Sequence, residues 1–64
     1  MEQEEDGEKA ARMEAFRALV EAQDAGEGVV ESRRAVAKRF GLTRRQLLSI
    51  EAEGLEAGWP PLEG

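Results

Sequence analysis

The sequence predicts an all-α protein, a small three-helix domain that contains a helix-turn-helix and is preceded by an acidic, disordered N-terminal tail. Apolar residues recur at spacings of three and four, as they do on the buried face of a helix. Glycines fall between the periodic segments, and two consecutive prolines follow the last of them. With 64 residues, the chain has room for one small domain, and the core of so small a domain is marginal.

Composition divides the chain into a tail and a domain. Residues 1–7 are acidic and contain no apolar residue besides Met1, so they cannot bury enough surface to offset the entropy lost on ordering. We predict a flexible tail there and a domain over residues 8–64. Its first helix is expected from Glu8 to about Ala25, where good helix formers predominate. The apolar face of this helix consists of Met13, Phe16, Leu19 and Val20.

The second helix is expected to begin at Ser32 and to end at Gly41. The Ser32 hydroxyl can accept a hydrogen bond from a free amide of the first turn, which is the role of an N-cap. Val36, Ala37 and Phe40 then form the apolar face. Gly41 can adopt the positive φ angle that ends a helix without steric cost.

The third helix is expected to begin at Thr43, where several local signals agree. Thr43 and Gln46 have the spacing of a capping box, in which each side chain satisfies a backbone amide of the other residue. Leu42 and Leu47 have the spacing of a hydrophobic staple. The helix should end near Gly58, because the two prolines that follow cannot continue it.

Residues 32–57 therefore form a candidate helix-turn-helix, with Gly41-Leu42-Thr43 as its turn. The motif needs a small residue where the helices cross closely, a glycine in the turn, and apolar residues in the angle between the helices. Seven positions hold suitable residues: Val36, Ala37, Phe40, Gly41, Leu42, Leu47 and Ile50. A generic helical hairpin that uses Gly41 as an ordinary stop is the alternative.

Charge is distributed unevenly along the chain. The net charge of −5 taken as a whole argues against binding to nucleic acid. Residues 1–28, however, carry a balance of −6, residues 29–50 a balance of +5, and residues 51–64 a balance of −4. The basic segment coincides with the candidate helix-turn-helix. It therefore offers a local positive surface to a polyanion, and the net charge of the whole chain conceals that surface.

The stretch from Ala35 to Leu55 resembles the DNA-binding helix-turn-helix of bacterial sigma factors, the region that reads the −35 promoter element. Gly41-Leu42-Thr43-Arg44 and Ile50-Glu51-Ala52 carry this likeness, which covers about a third of the chain. The resemblance implies recognition of double-stranded DNA by the third helix. Several residues of that helix depart from the family: Arg45 and Ser49 replace the usual Glu and Gln, and Glu53 and Glu56 replace Lys and Arg.

Helix geometry leads to a similar set of contacts. At 100° per residue, the outer side of the third helix carries Arg45, Ser49, Ala52 and Glu56. Arginine suits bidentate contacts with guanine or phosphate, and the cations of the second helix suit contacts with backbone phosphate. The candidate DNA-binding residues are Arg33, Arg34, Lys38, Thr43, Arg44, Arg45 and Ser49.

The composition excludes several classes of function. The chain has no Cys and no His, which removes disulfides, zinc sites and the usual general base. We therefore expect no enzyme, no catalytic residue, no cofactor, no metal ion and no small-molecule substrate. The apolar runs are too short for a membrane span and the N-terminus is unlike a signal peptide, so we expect a cytoplasmic protein with no membrane partner. Trp59 is expected in the core.

Two functions remain open from the sequence. One is a sequence-specific, DNA-binding transcription regulator of a bacterium, expected as a homodimer because the core is marginal and DNA half-sites commonly occur in pairs. The alternative is a protein-interaction module that binds RNA polymerase, a sigma factor or another protein through the same helices. The net acidity favours the second function, and the basic segment favours the first.

Overall fold

A computed structural model describes residues 2–62 of the chain, with side chains from Gly7 onward. It consists of α1 (Glu2–Asp24), α2 (Val29–Phe40) and α3 (Arg44–Ala57), and residues 2–62 contain no strand. The predicted all-α, three-helix fold is confirmed. Each helix packs against the other two, so the fold has one shared core.

The first helix covers the segment predicted from Glu8 to about Ala25. It ends where Gly26 takes a φ angle of 101°, a conformation that favours glycine, and Gly26 and Glu27 donate to carbonyls of the last turn. The flexible tail predicted for residues 1–7 overlaps the start of α1, whose backbone begins at Glu2, while Met1 and the side chains of residues 2–6 lie outside the described residues. The flexibility of this segment stays a prediction.

The core is built from apolar side chains of all three helices and of the segment that follows α3. The Phe16 ring is at its centre with no exposed surface, and the Trp59 ring meets it edge to face at a centroid distance of 6.0 Å and an interplanar angle of 81°. The prediction that Trp59 belongs to the core is confirmed. The buried apolar residues are Ala15, Phe16, Leu19, Val36, Leu47, Ile50 and Trp59.

The start of α2 differs from the prediction that Ser32 is its N-cap. The helix begins three residues earlier, at Val29, with Gly28 in the capping position, and the Ser32 amide already donates to the Gly28 carbonyl at 2.8 Å. The Ser32 hydroxyl is fully buried, donates to the Val29 carbonyl at 3.0 Å and accepts from Nε2 of Gln23 at 3.2 Å. Ser32 thus joins the end of α1 to the start of α2, a role set by a residue of another helix.

The turn between α2 and α3 has the predicted geometry. Gly41 lies in the left-handed region with a φ angle of 67°, and the Leu42 amide donates to the Ala37 carbonyl at 2.8 Å. Thr43 begins α3 with both hydrogen bonds of a capping box, from the Gln46 amide to Thr43 Oγ1 at 3.1 Å and from the Thr43 amide to Gln46 Oε1 at 2.9 Å. These bonds set the direction in which α3 leaves the turn.

Gly54 lies where α3 packs closely against α1. The glycine is buried, and a Cβ atom added to it would collide with the Phe16 ring, at 2.6 Å from Cγ. Because Phe16 is fully buried, its ring has no free space into which to move. The missing side chain at residue 54 therefore sets the distance between the two helices.

We expect Gly54→Ala to lower the free energy of unfolding by about 1–3 kcal/mol, as overpacking of a core does. The sign of this change in stability distinguishes crowding from helix propensity. Alanine is the better helix former by about 1 kcal/mol, so it would stabilise the protein at an uncrowded site. Gly7→Ala in α1 is the matched control, since nothing lies within 4 Å of its added Cβ, and it should cause no loss. Urea denaturation measures both variants, and a Gly54→Ala protein as stable as the parent contradicts the packing described above.

Removal of the α3 cap should also be measurable. Thr43→Ala deletes the acceptor for the Gln46 amide, and we expect it to lower the free energy of unfolding by about 1 kcal/mol. Thr43→Ser keeps that acceptor and should retain most of the stability. Equal losses for the two variants in thermal denaturation would mean that the threonine methyl group, and not the cap, is important.

Candidate nucleic-acid interface

The outward-facing side of α3 is the one that its sequence predicts. Leu47, Ile50 and Gly54 are buried against the other helices. The residues on the opposite side are exposed: Arg45, Ser49, Ala52 and Glu56. The domain therefore presents one full side of α3, from its first turn to its last, to an external partner.

The charges along α3 are ordered against the helix dipole. Arg44 and Arg45 occupy the first turn, which contains no acidic residue, and the last turn contains no basic residue. A helix start carries a partial positive charge and favours acidic neighbours, so this order does not stabilise the helix. The capping box uses the Gln46 amide, while the amides of Arg44 and Arg45 have no acceptor within the helix. The start of α3 thus concentrates positive charge and backbone donors, as a phosphate-binding surface requires.

A groove runs between α2 and α3 beside this helix start. It has a volume of about 290 Å³ and is lined by apolar residues and by arginines. Arg34 and Arg44 approach it from opposite helices, and both are exposed. Lys38 is also exposed, one helical turn beyond Arg34 on α2. Its apolar lining consists of Val30, Ala37, Leu47 and Leu48.

Arg33, a predicted DNA contact, is engaged inside the protein. Its Nη2 atom lies 2.9 Å from Oε1 of Glu51, and its Nε atom donates to the same oxygen at 3.0 Å. The two side chains are 35% and 17% exposed, so water screens the pair only in part. Arg33 and Glu51 tie α2 to α3, and the sequence contained no local signal for this pairing because the residues are eighteen positions apart.

On its other side, α3 adjoins the beginning of α1. Arg45 and Ser49 border a second, more open groove with Glu8 and Arg12 of α1, which has a volume of about 450 Å³. Nε of Arg12 lies 3.5 Å from Oε1 of Glu53, and its Nη1 lies 3.6 Å from Oε1 of Glu8. Sequence reasoning missed Arg12, whose charge is matched by two carboxylates. Arg12 compensates the negative charge of Glu53, one of the two acids near the end of α3 that would repel DNA.

The arginines of the described chain, together with Lys38, differ in the groups that lie next to them. Arg12, Arg17 and Arg33 each have a carboxylate within 4.0 Å. Arg39 lies over the Phe40 ring, with its guanidinium carbon 5.3 Å from the ring centroid. Among the described residues, no such carboxylate is found near the remaining predicted contacts, which are Arg34, Lys38, Arg44 and Arg45. These four surround the α2–α3 turn and the first half of α3.

No protein-family model, curated protein or solved structure matches this chain. No helix within residues 2–62 is long and apolar enough to cross a membrane. The same part of the chain holds no group of three Asp or Glu side chains arranged to bind a metal ion. Geometry and charge are therefore the observations on which a function can be proposed.

The Arg33–Glu51 pair should contribute to stability. We expect Glu51→Ala to lower the free energy of unfolding by roughly 1 kcal/mol, between the values typical of exposed and of buried pairs. The loss should shrink at high salt. Glu21→Ala is the control, because it breaks an exposed pair with Arg17 within one helix and should have little effect. Equal effects of the two substitutions in urea denaturation would refute the stabilising role of the pair.

Proposed function

We propose that the chain is a small, sequence-specific DNA-binding transcription regulator that inserts the first half of α3 into the major groove. The observation that carries the proposal is the exposed surface formed by Arg44, Arg45 and Ser49 at the start of α3. An α helix fits the major groove, and in a helix-turn-helix the first residues of the second helix contact the bases. A bacterial origin and a cytoplasmic location belong to the same proposal.

The residues of this surface have different roles in the proposed complex. Arg45 and Ser49 face outward on α3 and read base edges, since arginine pairs with the two major-groove acceptors of guanine. Arg44 and the Thr43 end of the helix bind backbone phosphate. Arg34 and Lys38 on α2 add phosphate contacts that position the protein without reading sequence. Arg33 stays a candidate phosphate contact, although Glu51 already accepts hydrogen bonds from its Nε and Nη2 atoms.

The acidic half of α3 limits how far the helix enters the groove. Glu53 and Glu56 are exposed near its end, where they would repel phosphate, so the helix has to be tilted with that end away from the duplex. Arg12 compensates Glu53 in part. With a net charge of −5 on the whole chain, non-specific binding should be weak and steeply dependent on salt.

A protein partner is the second candidate function. The exposed carboxylates of Glu53 and Glu56 and the exposed Leu55 beside them favour it, because they form a surface unsuited to DNA. The proposed partner is RNA polymerase or a sigma factor. A pull-down from a nuclease-treated bacterial lysate tests it: a polymerase band lost on Leu55→Asn supports this function, and the absence of the band contradicts it.

DNA binding is tested by fluorescence anisotropy with promoter and random duplexes at several salt concentrations. We expect the combined Arg44→Ala and Arg45→Ala protein to lose binding to DNA. In single variants that still bind, the slope of log affinity against log salt should fall by about one for each phosphate-binding cation removed. Lys38→Ala should weaken binding to all duplexes alike, whereas Arg45→Ala should also relax sequence preference.

Arg17→Ala is the matched control for this experiment. Arg17 is exposed on α1 and donates a hydrogen bond to Glu21, which raises the pKa of the Arg17 guanidinium. It is therefore a cation that already has a carboxylate partner. Its removal changes net charge as much as one of the α3 substitutions does and should leave affinity nearly unchanged. Absence of binding by the parent protein at low salt, or equal losses for Arg17→Ala and Arg45→Ala, would contradict the proposal.

A further inference from the structure

A row of leucines on α3 faces neither the core nor the outer side of the helix. Leu55 is 59% exposed, and Leu48 lies half-buried in the lining of the groove between α2 and α3. The two are seven residues apart and therefore point within about 20° of each other. Val30 of α2, which is 61% exposed, lines the same groove. Together, Val30, Leu48 and Leu55 make an apolar strip beside the proposed DNA-binding surface.

The charges that flank this strip are self-complementary in the antiparallel direction. Arg44 and Arg45 lie at one end of α3, and Glu56 lies near the other. When two α3 helices run antiparallel with Leu55 of one against Leu48 of the other, Glu56 comes within two residues, or about 3 Å along the axis, of the position opposite Arg45. Both residues then flank the contact on the same side. The arrangement also opposes the two helix dipoles, whereas within one chain the charges are arranged unfavourably.

We propose that a second copy of this chain occupies the strip, as an antiparallel α3–α3 homodimer with two-fold symmetry. Leu55 of each copy enters the α2–α3 groove of the other, and Glu56 of each copy pairs with Arg45 of the other. The contact is isologous, so every interaction occurs twice. The groove of about 290 Å³ has space for a leucine side chain.

This dimer has a consequence for DNA binding, and that consequence rests on the proposed function. Helices packed in this way lie about 8–10 Å apart, while two half-sites on one face of a duplex are about 34 Å apart. The two α3 helices of the dimer are therefore too close to enter successive major grooves. Arg45 is moreover held by Glu56 of the other copy. Self-association and DNA binding then compete for one surface, and the monomer is the form that binds DNA.

The dimer is tested without DNA by sedimentation velocity on variants in which a charge of the proposed contact is reversed. The parent protein should self-associate with increasing concentration, and Leu55→Asn should weaken association by at least about tenfold, since two leucines are lost for each dimer. Arg45→Glu alone and Glu56→Arg alone should each be monomeric, because each places like charges opposite one another at both sites. An equal mixture of the two variants should form a heterodimer, in which both pairs are again complementary.

Two outcomes overturn the dimer: a parent protein that stays monomeric at all concentrations, or a mixture of the two charge variants that associates no better than either alone.

Fluorescence anisotropy with duplex DNA then tests the competition between self-association and DNA binding. Leu55→Asn leaves the charge unchanged and should bind DNA more tightly than the parent only at concentrations at which the parent dimerises. Equal binding there refutes the competition. Failure of every variant to bind DNA refutes the proposed function, while the dimer is judged by sedimentation alone.

Discussion

The contact between the Phe16 ring and the backbone of Gly54 is the constraint on which the rest of the structure depends. Phe16 is fully buried, and no side chain intervenes between its ring and α3. Trp59 closes the same ring from its edge at 6.0 Å. Phe16 and Trp59 are the two aromatic residues among the seven buried apolar residues, and aromatic side chains bury the largest area each. The Phe16–Gly54 contact fixes how near α3 lies to α1.

The position of α3 in turn determines which charges are free. Arg33 reaches Glu51 from α2, and Arg12 reaches Glu53 from α1, so an ion pair holds the helix on each side. Both pairs lie beyond the first turn of α3. Arg44 and Arg45 in that turn stay exposed with no carboxylate close to them in the described residues. The two ion pairs therefore hold α3 along its length and leave the arginines of its first turn exposed.

The charge order of α3 fits an external role better than a structural one. Arginines at the positive end of a helix and glutamates toward its negative end both act against the dipole, and the capping box has to hold the helix start in spite of them. A phosphate backbone, or the acidic end of another α3, would offset the unfavourable interaction of these arginines with the helix dipole. The two proposed partners, DNA and a second copy of the chain, are thus alternatives for one electrostatic feature.

The sequence by itself determined the three helices, the Gly41 turn, the capping box, the place of Trp59 in the core and the outward side of α3. The place of Trp59 follows from the apolar area that so small a core needs. Each of the others depends on residues a few positions apart, through hydrogen bonds within one turn or through helical periodicity. Only the tertiary structure decided that Ser32 joins two helices instead of capping one, that Glu51 holds Arg33, and that Arg12 lies beside Glu53. Those interactions join side chains far apart in the chain, and their partners are known only once the Phe16–Gly54 contact has placed the helices.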